Sequence, residues 1–229
     1  MTRSSALPAA ILLDALGTLV VLHPPGPQLA AELRARLGVS ITEAQAQKAI
    51  GAEIAYYREQ LNEGRDRATL ADLRMRCTEV LRRALPPSDV VAEADGELLQ
   101  QVLLASLRFS EFEDARPALE LARRRGQRLV VVSNWDVSLH GVLQRLRLAP
   151  LLDGVVTSAE AGARKPSPEI FERALALAGV SAEQAIHVGD SVDDDLAGAR
   201  AAGIEPILIA RDGGVTPPGV RVIASLLEL

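Results

Sequence analysis

Apolar and polar positions divide this chain into two kinds of territory. The run Ala10-Ile11-Leu12-Leu13-Asp14, bounded by Pro8 and Gly17, has the pattern of a strand buried on both faces. From about residue 27 to 105 the rhythm is helical. Leu29, Leu33 and Leu37 recur every fourth position, and Ile50, Ile54 and Tyr57 share a helix face. Gly38, the stretch Asn62–Gly64 and Pro86-Pro87 punctuate these helices. After Phe112, short apolar runs at 128–133, 154–157, 185–189 and 206–210 alternate with helical periodicity at 115–125, 137–147, 168–178 and 193–202. Continuously apolar strands alternating with helices predict a parallel sheet covered on both faces. The all-helical block separates the first strand from the others and so reads as an insertion. The sequence thus divides into an α/β core, residues 1–21 and 108–229, and a helical domain, residues 22–107.

Composition narrows the function. The chain of 229 residues is 48% apolar and 24% charged, as globular domains are, with a formal net charge of −5 and no like-charge block that suggests a nucleic-acid arm. Aromatic residues are 3%, too few for base-stacking platforms. The single cysteine, Cys77, forms no internal disulfide and has no histidines at zinc spacing, which fits a reducing, cytoplasmic setting. The apolar stretch from Ala6 to Leu22 could pass for a signal peptide or membrane span. Asp14 lies in its middle, however, where a charge costs about 2.5–3.5 kcal/mol on insertion, so a buried strand is expected and no membrane association.

In open parallel sheets the active crevice lies beyond the carboxyl ends of the strands. The first strand ends at Asp14, the next at Ser133-Asn134-Trp135-Asp136, and that of 185–189 at Gly189-Asp190-Ser191 followed by Asp193, Asp194 and Asp195. Arg164-Lys165-Pro166 follows the strand at 154–157. Two carboxylates in one crevice, Asp14 and Asp190, repel unless a cation lies between them, and hard oxygen ligands suit Mg²⁺. A carboxylate beside Mg²⁺ can attack a phosphoryl group. Gly17 permits a tight turn with free N–H groups near a phosphate. Ser133 and the Lys165 ammonium can neutralise developing charge. Taken singly, a strand-terminal aspartate is equally a turn former. Lys165 gains weight from composition: the chain uses arginine 23 times and lysine twice, at Lys48 and Lys165. A compact ammonium rather than a planar fork suits a single phosphoryl oxygen. His187, within a strand, reads as a core residue. Asp193 reads as a first-turn acid favoured by the helix dipole.

Taken together, Asp14-x-x-Gly17-Thr18-Leu19, Ser133-Asn134, Lys165-Pro166 and Gly189-Asp190-Ser191-x-x-Asp194-Asp195-x-x-Gly198-Ala199 resemble the four motifs of the haloacid dehalogenase (HAD) superfamily. The resemblance implies a Rossmann-like core with a helical cap inserted after the first motif. It implies Asp14 as nucleophile, with Mg²⁺ held by Asp14, the Leu16 carbonyl and Asp190, and Asp194 or Asp195 holding metal-bound water. Gly17, Thr18, Ser133, Asn134 and Lys165 would bind substrate, and Tyr56, Tyr57 and Arg58 of the cap would select it. A cap of this kind implies a small-molecule substrate.

One position departs from the pattern. HAD phosphatases carry a second aspartate two residues after the nucleophile as general acid and base, and here that position is Leu16. General acid–base help is worth roughly 10²–10⁴ in rate. The reading is a Mg²⁺-dependent phosphatase of a small phosphorylated metabolite acting through an aspartyl phosphate. The other readings are a phosphate-binding protein that has lost turnover, and a hydrolase of another bond such as carbon–halogen. The oligomeric state is not legible in the sequence.

Overall fold

The computed structural model describes residues 7–211, 213 and 217–229. They form two compact units, one of the described residues up to 21 together with those from 111 on, the other of residues 22–110. The first is built on a six-stranded, all-parallel sheet of β1 (Ala10–Leu13), β4 (Arg128–Ser133), β5 (Gly154–Thr157), β6 (Ala185–Gly189), β7 (Glu205–Ile209) and β8 (Arg221–Ile223). Their order is β5-β4-β1-β6-β7-β8. Two shorter strands, β2 (Val20–Leu22) and β3 (Phe109–Glu111), form a separate two-stranded sheet.

All four residues of β1 are buried, because the strand is paired on both sides, to β4 and β6, and packed on both faces. The helices of this unit are α6 (Ala115–Arg124), α7 (Leu139–Arg145), α8 (Ser158–Ala161), α9 (Pro168–Ala178) and α10 (Ala197–Ala201). Helix α9 buries Ile170, Phe171, Ala174 and Ala178 against Leu12, Val130 and Val132 of the sheet. On α6 the same amphipathic logic buries Ala115, Ala118, Leu119 and Ala122, while the arginines of its last turn, Arg123 and Arg124, lie on the exposed side. The chain runs outward from β1 to β4 and β5, then crosses back to β6 on the other side of β1. That reversal is the topological switch at which such sheets place their crevice. Three neighbouring strands, β4, β1 and β6, end there.

The second unit holds α1 (Pro25–Leu37), α2 (Glu43–Gln60), α3 (Arg67–Ala84), α4 (Asp89–Glu93) and α5 (Gly96–Ser106). Leu29, Leu33, Ile50, Leu73, Leu81, Leu99 and Leu103 are its fully buried leucines and isoleucine. Thr42 and Asp66 cap α2 and α3, each with the reciprocal bond of a capping box, contributing about 1 kcal/mol per cap. None of the described helices is long and apolar enough to cross a membrane.

Three features depart from the sequence reading. The strand β8 and the pair β2 and β3 were not anticipated; each is three residues long, too short to show periodicity. The helix expected over 193–202 starts as a single π turn, Val192–Leu196, before continuing as α10.

Candidate active site

Asp14 follows β1, and its N–H donates to Val188 O of β6, which fixes the carboxylate at the strand ends. The residue is 5% exposed. Its Oδ1 accepts from Ser133 Oγ, at the end of β4 (2.9 Å), and from Lys165 Nζ (2.6 Å). Among the described residues nothing donates to Oδ2. One oxygen is thus held and charge-compensated, and the other is unspent.

Lys165, 3% exposed, bridges Asp14 and Asp195, with Nζ 2.5 Å from Asp195 Oδ1. Burial opposes its charge, but the two flanking carboxylates win, and the ammonium is held well above its ordinary range. Burial likewise pushes Asp14 up, with Lys165 and Ser133 pulling it back. Asp195 is held far below its ordinary range: burial works against its charge and is outweighed by Lys165 and His187. All these groups lie within charge-assisted hydrogen-bond distance, the geometry of an ion pair rather than of neutral partners.

Asp190 follows β6 and reaches solvent. Its carboxyl is pushed up to about 6, first by desolvation at the strand ends and then by Asp14 and Asp195. Oxygens of Asp14, Asp190 and Asp195 lie within 4.8 Å of one another. Three carboxylates share one ammonium here, so the cluster retains uncompensated negative charge, the condition that a divalent cation relieves. Asp195 is otherwise engaged: Oδ1 takes Lys165 and His187, and Oδ2 takes the Ser191 N–H (3.1 Å). The unspent oxygens are Asp14 Oδ2 and those of the Asp190 carboxylate, which meets only its own backbone N–H, together with the Leu16 carbonyl, which accepts no hydrogen bond among the described residues. Those groups could hold a metal.

Glycines make the close approaches possible. Gly17 has φ +85°, and a Cβ there would lie 2.0 Å from Asp190 Oδ2. A Cβ on Gly189 would meet Asp195 Cγ at 2.1 Å. The π turn at 192–196 starts with Leu196 N–H donating to Ser191 O (3.1 Å), and it carries Asp195 inward while Asp193 stays exposed. Single π turns of this kind recur at functional sites. Asp194 is half-buried, with Oδ2 3.4 Å from Asn134 Nδ2.

The free N–H groups expected near Gly17 are not there. Gly17 N–H donates to Val20 O (2.8 Å), and those of Thr18, Leu19 and Val20 donate to Ala15 O. The tight loop consumes its own downstream amides. The N–H groups of Ala15 and Leu16 donate to nothing among the described residues and are the backbone donors left for an anion. Thr18 Oγ1 is buried with no partner. Asn134 clamps the Lys165 main chain, its Oδ1 accepting from Lys165 N (2.7 Å) and its Nδ2 donating to Lys165 O (3.0 Å). The Lys165–Pro166 bond is cis. Trp135 is buried.

Tyr56, Tyr57 and Arg58 lie on α2 in the helical unit. Tyr56 Oη accepts from Arg76 Nη1 (3.0 Å), Tyr57 is half-buried against the leucine-rich core, and Arg58 is exposed.

Two participants escaped the sequence reading. His187 is fully buried, as expected of a core residue, yet its Nε2 lies 2.8 Å from Asp195 Oδ1. Arg211, just after β7, donates to Gly17 O (3.3 Å) and Thr18 O (2.7 Å), pairs with Asp114 (2.9 Å), and stacks over Phe112 at 3.8 Å. Asp114 Oδ2 accepts in addition from Ser225 Oγ and Leu226 N, both 2.8 Å. Nothing in local spacing links an arginine to a loop 194 residues away.

The chain is 44% identical over 98 residues to haloacid dehalogenase-like hydrolase domain-containing protein 3 of Bos taurus, covering 43% of this chain and 39% of that protein. It is 34% identical over 139 residues to a phosphoserine phosphatase of Thermus thermophilus, covering 60% and 55%. The matched stretch thus spans about half the length of such relatives or less. In fold the chain is similar to a 2-haloacid dehalogenase from Pseudomonas syringae, with a TM-score of 0.65 at 24% identity over 96% of this chain and 95% of that one. The sequence pattern of the haloacid dehalogenase-like hydrolases matches residues 8–203, a span that contains Asp14, Ser133, Lys165 and Asp190. This chain belongs to the haloacid dehalogenase-like hydrolases.

Proposed function

We propose that this hydrolase is a Mg²⁺-dependent phosphatase that removes the phosphoryl group of a small cytoplasmic metabolite through an aspartyl phosphate on Asp14. The observation that carries the reading is the asymmetry of the Asp14 carboxylate, with Oδ1 held by Ser133 and Lys165 and Oδ2 unspent. In this reading Oδ2 forms a bond to phosphorus while the bond from phosphorus to the leaving oxygen breaks, and the leaving group departs with that electron pair. Lys165, Ser133 and the amides of Ala15 and Leu16 face the charge on the phosphoryl oxygens. Water then cleaves the acyl phosphate, regenerating the carboxylate and releasing inorganic phosphate. Asp14, Asp190 and the Leu16 carbonyl would hold Mg²⁺, which when bound neutralises phosphoryl charge.

Leu16 is 37% exposed and has no proton to give. The leaving oxygen therefore departs unassisted, which removes about 3–5 kcal/mol of stabilisation that a general acid would supply. That observation favours a second reading, a phosphate-binding protein without turnover. A panel of phosphoesters with Mg²⁺, beside an Asp14→Asn control, separates the two. Phosphate release that the control lacks supports the phosphatase, and phosphate binding without release supports the second. Halide release from 2-haloacids, with no phosphate release, would replace both.

A further inference from the structure

His187 sits in β6, fully buried, with its ring edge-on to Phe171 (centroids 4.9 Å apart, planes at 87°). Its strand neighbours in register are Leu12 of β1 and Pro206 of β7. Its Nδ1 is buried without a partner. A leucine would fill such a place without the cost of orphaning a buried polar atom. What the imidazole supplies instead is a single hydrogen bond. Asp195 is a carboxylate and only accepts, so Nε2 carries the proton and donates to Asp195 Oδ1 at 2.8 Å.

That oxygen also accepts from Lys165 Nζ (2.5 Å), and Lys165 Nζ simultaneously donates to Asp14 Oδ1 (2.6 Å). Two donors on one oxygen divide its charge between them. We propose that His187 is a positioning residue for Lys165: by occupying part of Asp195 Oδ1, it sets how the ammonium is shared between Asp195 and the nucleophile Asp14. Without this bond, Oδ1 turns wholly to Lys165 and draws the ammonium away from Asp14. Gly189 is part of the device, since any side chain there would collide with the Asp195 carboxylate. The kinetic consequence rests on the phosphatase reading; the placement of the ammonium does not.

The chain has two lysines, so protein labelled with ¹⁵N at lysine Nζ gives two side-chain signals, from Lys48 and Lys165. In the full chain the Lys165 ammonium, buried and bonded to two carboxylates, should exchange its protons slowly with water. His187→Leu should shift that signal and speed its exchange about tenfold or more, a change equivalent to about 1.4 kcal/mol. His187→Gln, whose amide N–H can reach from the position of Nε2, should restore the parent signal, whereas His187→Asn, one methylene shorter, should not. In an Asp195→Ala background, His187→Leu should change nothing further, because the two residues act as one unit. With an aryl phosphate, kcat should fall about tenfold in His187→Leu, with KM changed less than about twofold, and recover in His187→Gln. A Lys165 signal identical in parent and His187→Leu, or effects of His187 and Asp195 that simply add, would overturn the proposal. If His187→Leu does not fold, the contrast of Gln with Asn decides, and equal behaviour of the two overturns it. A parent without phosphoester turnover would remove the phosphatase reading, and the Lys165 signal would still decide the role of His187.

Discussion

Replacing Glu53 by glutamine should make the protein more stable at alkaline pH and leave it unchanged in acid. Glu53 lies on α2, on the same face as the buried Ala46, Ala49 and Ile50, and is 4% exposed. The Cys77 thiol on α3 donates to it, and among the described residues no cation pairs with it. Burial pushes its carboxyl from 4.5 up to about 7. An acid whose pKa is raised by folding is most stabilising while protonated in both states. The contribution is fully present below about 4.5 and is lost as pH rises through about 7. The shift corresponds to about 3 kcal/mol of stability lost between pH 4.5 and pH 8. Glutamine keeps the volume and an acceptor for the Cys77 thiol but cannot ionise. The assay is urea unfolding of parent and Glu53→Gln from pH 5 to 9, followed by helix content. The difference in stability should be below about 1 kcal/mol at pH 5 and grow to on the order of 3 kcal/mol in favour of the variant by pH 8.5. Curves that stay parallel across the range would refute the reasoning, because they would show that Glu53 ionises without cost in the folded chain.

Leu16→Asp should raise turnover of alkyl phosphates by up to about 10²–10⁴ and that of aryl phosphates less, since aryl leaving groups need no proton; equal gains in kcat on both classes would show that Leu16 is no handicap. Asp190→Ala should abolish Mg²⁺ binding measured by calorimetry together with phosphoester turnover, and retained affinity would move the metal elsewhere. Gly17→Ala should cost roughly 1–2 kcal/mol of stability from its left-handed backbone alone, and should cut kcat further because the new Cβ displaces the Asp190 carboxylate. A melting curve and an activity assay on the same sample check both effects.

The positions of the strand ends were legible because each depends only on where an apolar run stops. Asp14, Ser133 and Asp190 converge on neighbouring strands for that reason, and the backbone alone places them. The partners of these residues were not legible, because a hydrogen bond is chosen by rotamer and by contacts distant in sequence. Asn134 looked like a substrate ligand from its motif, yet its amide is spent on the Lys165 main chain. Periodicity marked His187 as core and could not show that one ring nitrogen serves Asp195. A glycine turn after Asp14 suggests free amides, but the tightness of this one closes the amides of Gly17 to Val20 on Ala15 and Val20 carbonyls. The helical block was plain from leucine spacing, whereas β8 carries too few residues for any alternation to appear.

The Asp114 carboxylate joins three distant parts of the chain. One of its oxygens holds Arg211, Ser225 and the amide of Leu226, and Arg211 continues to the carbonyls of Gly17 and Thr18. The turn at Leu226–Glu228 is therefore two side chains removed from the loop that follows Asp14. A change at Ser225 or Asp114 is thus transmitted through Arg211 to the carbonyls of Gly17 and Thr18.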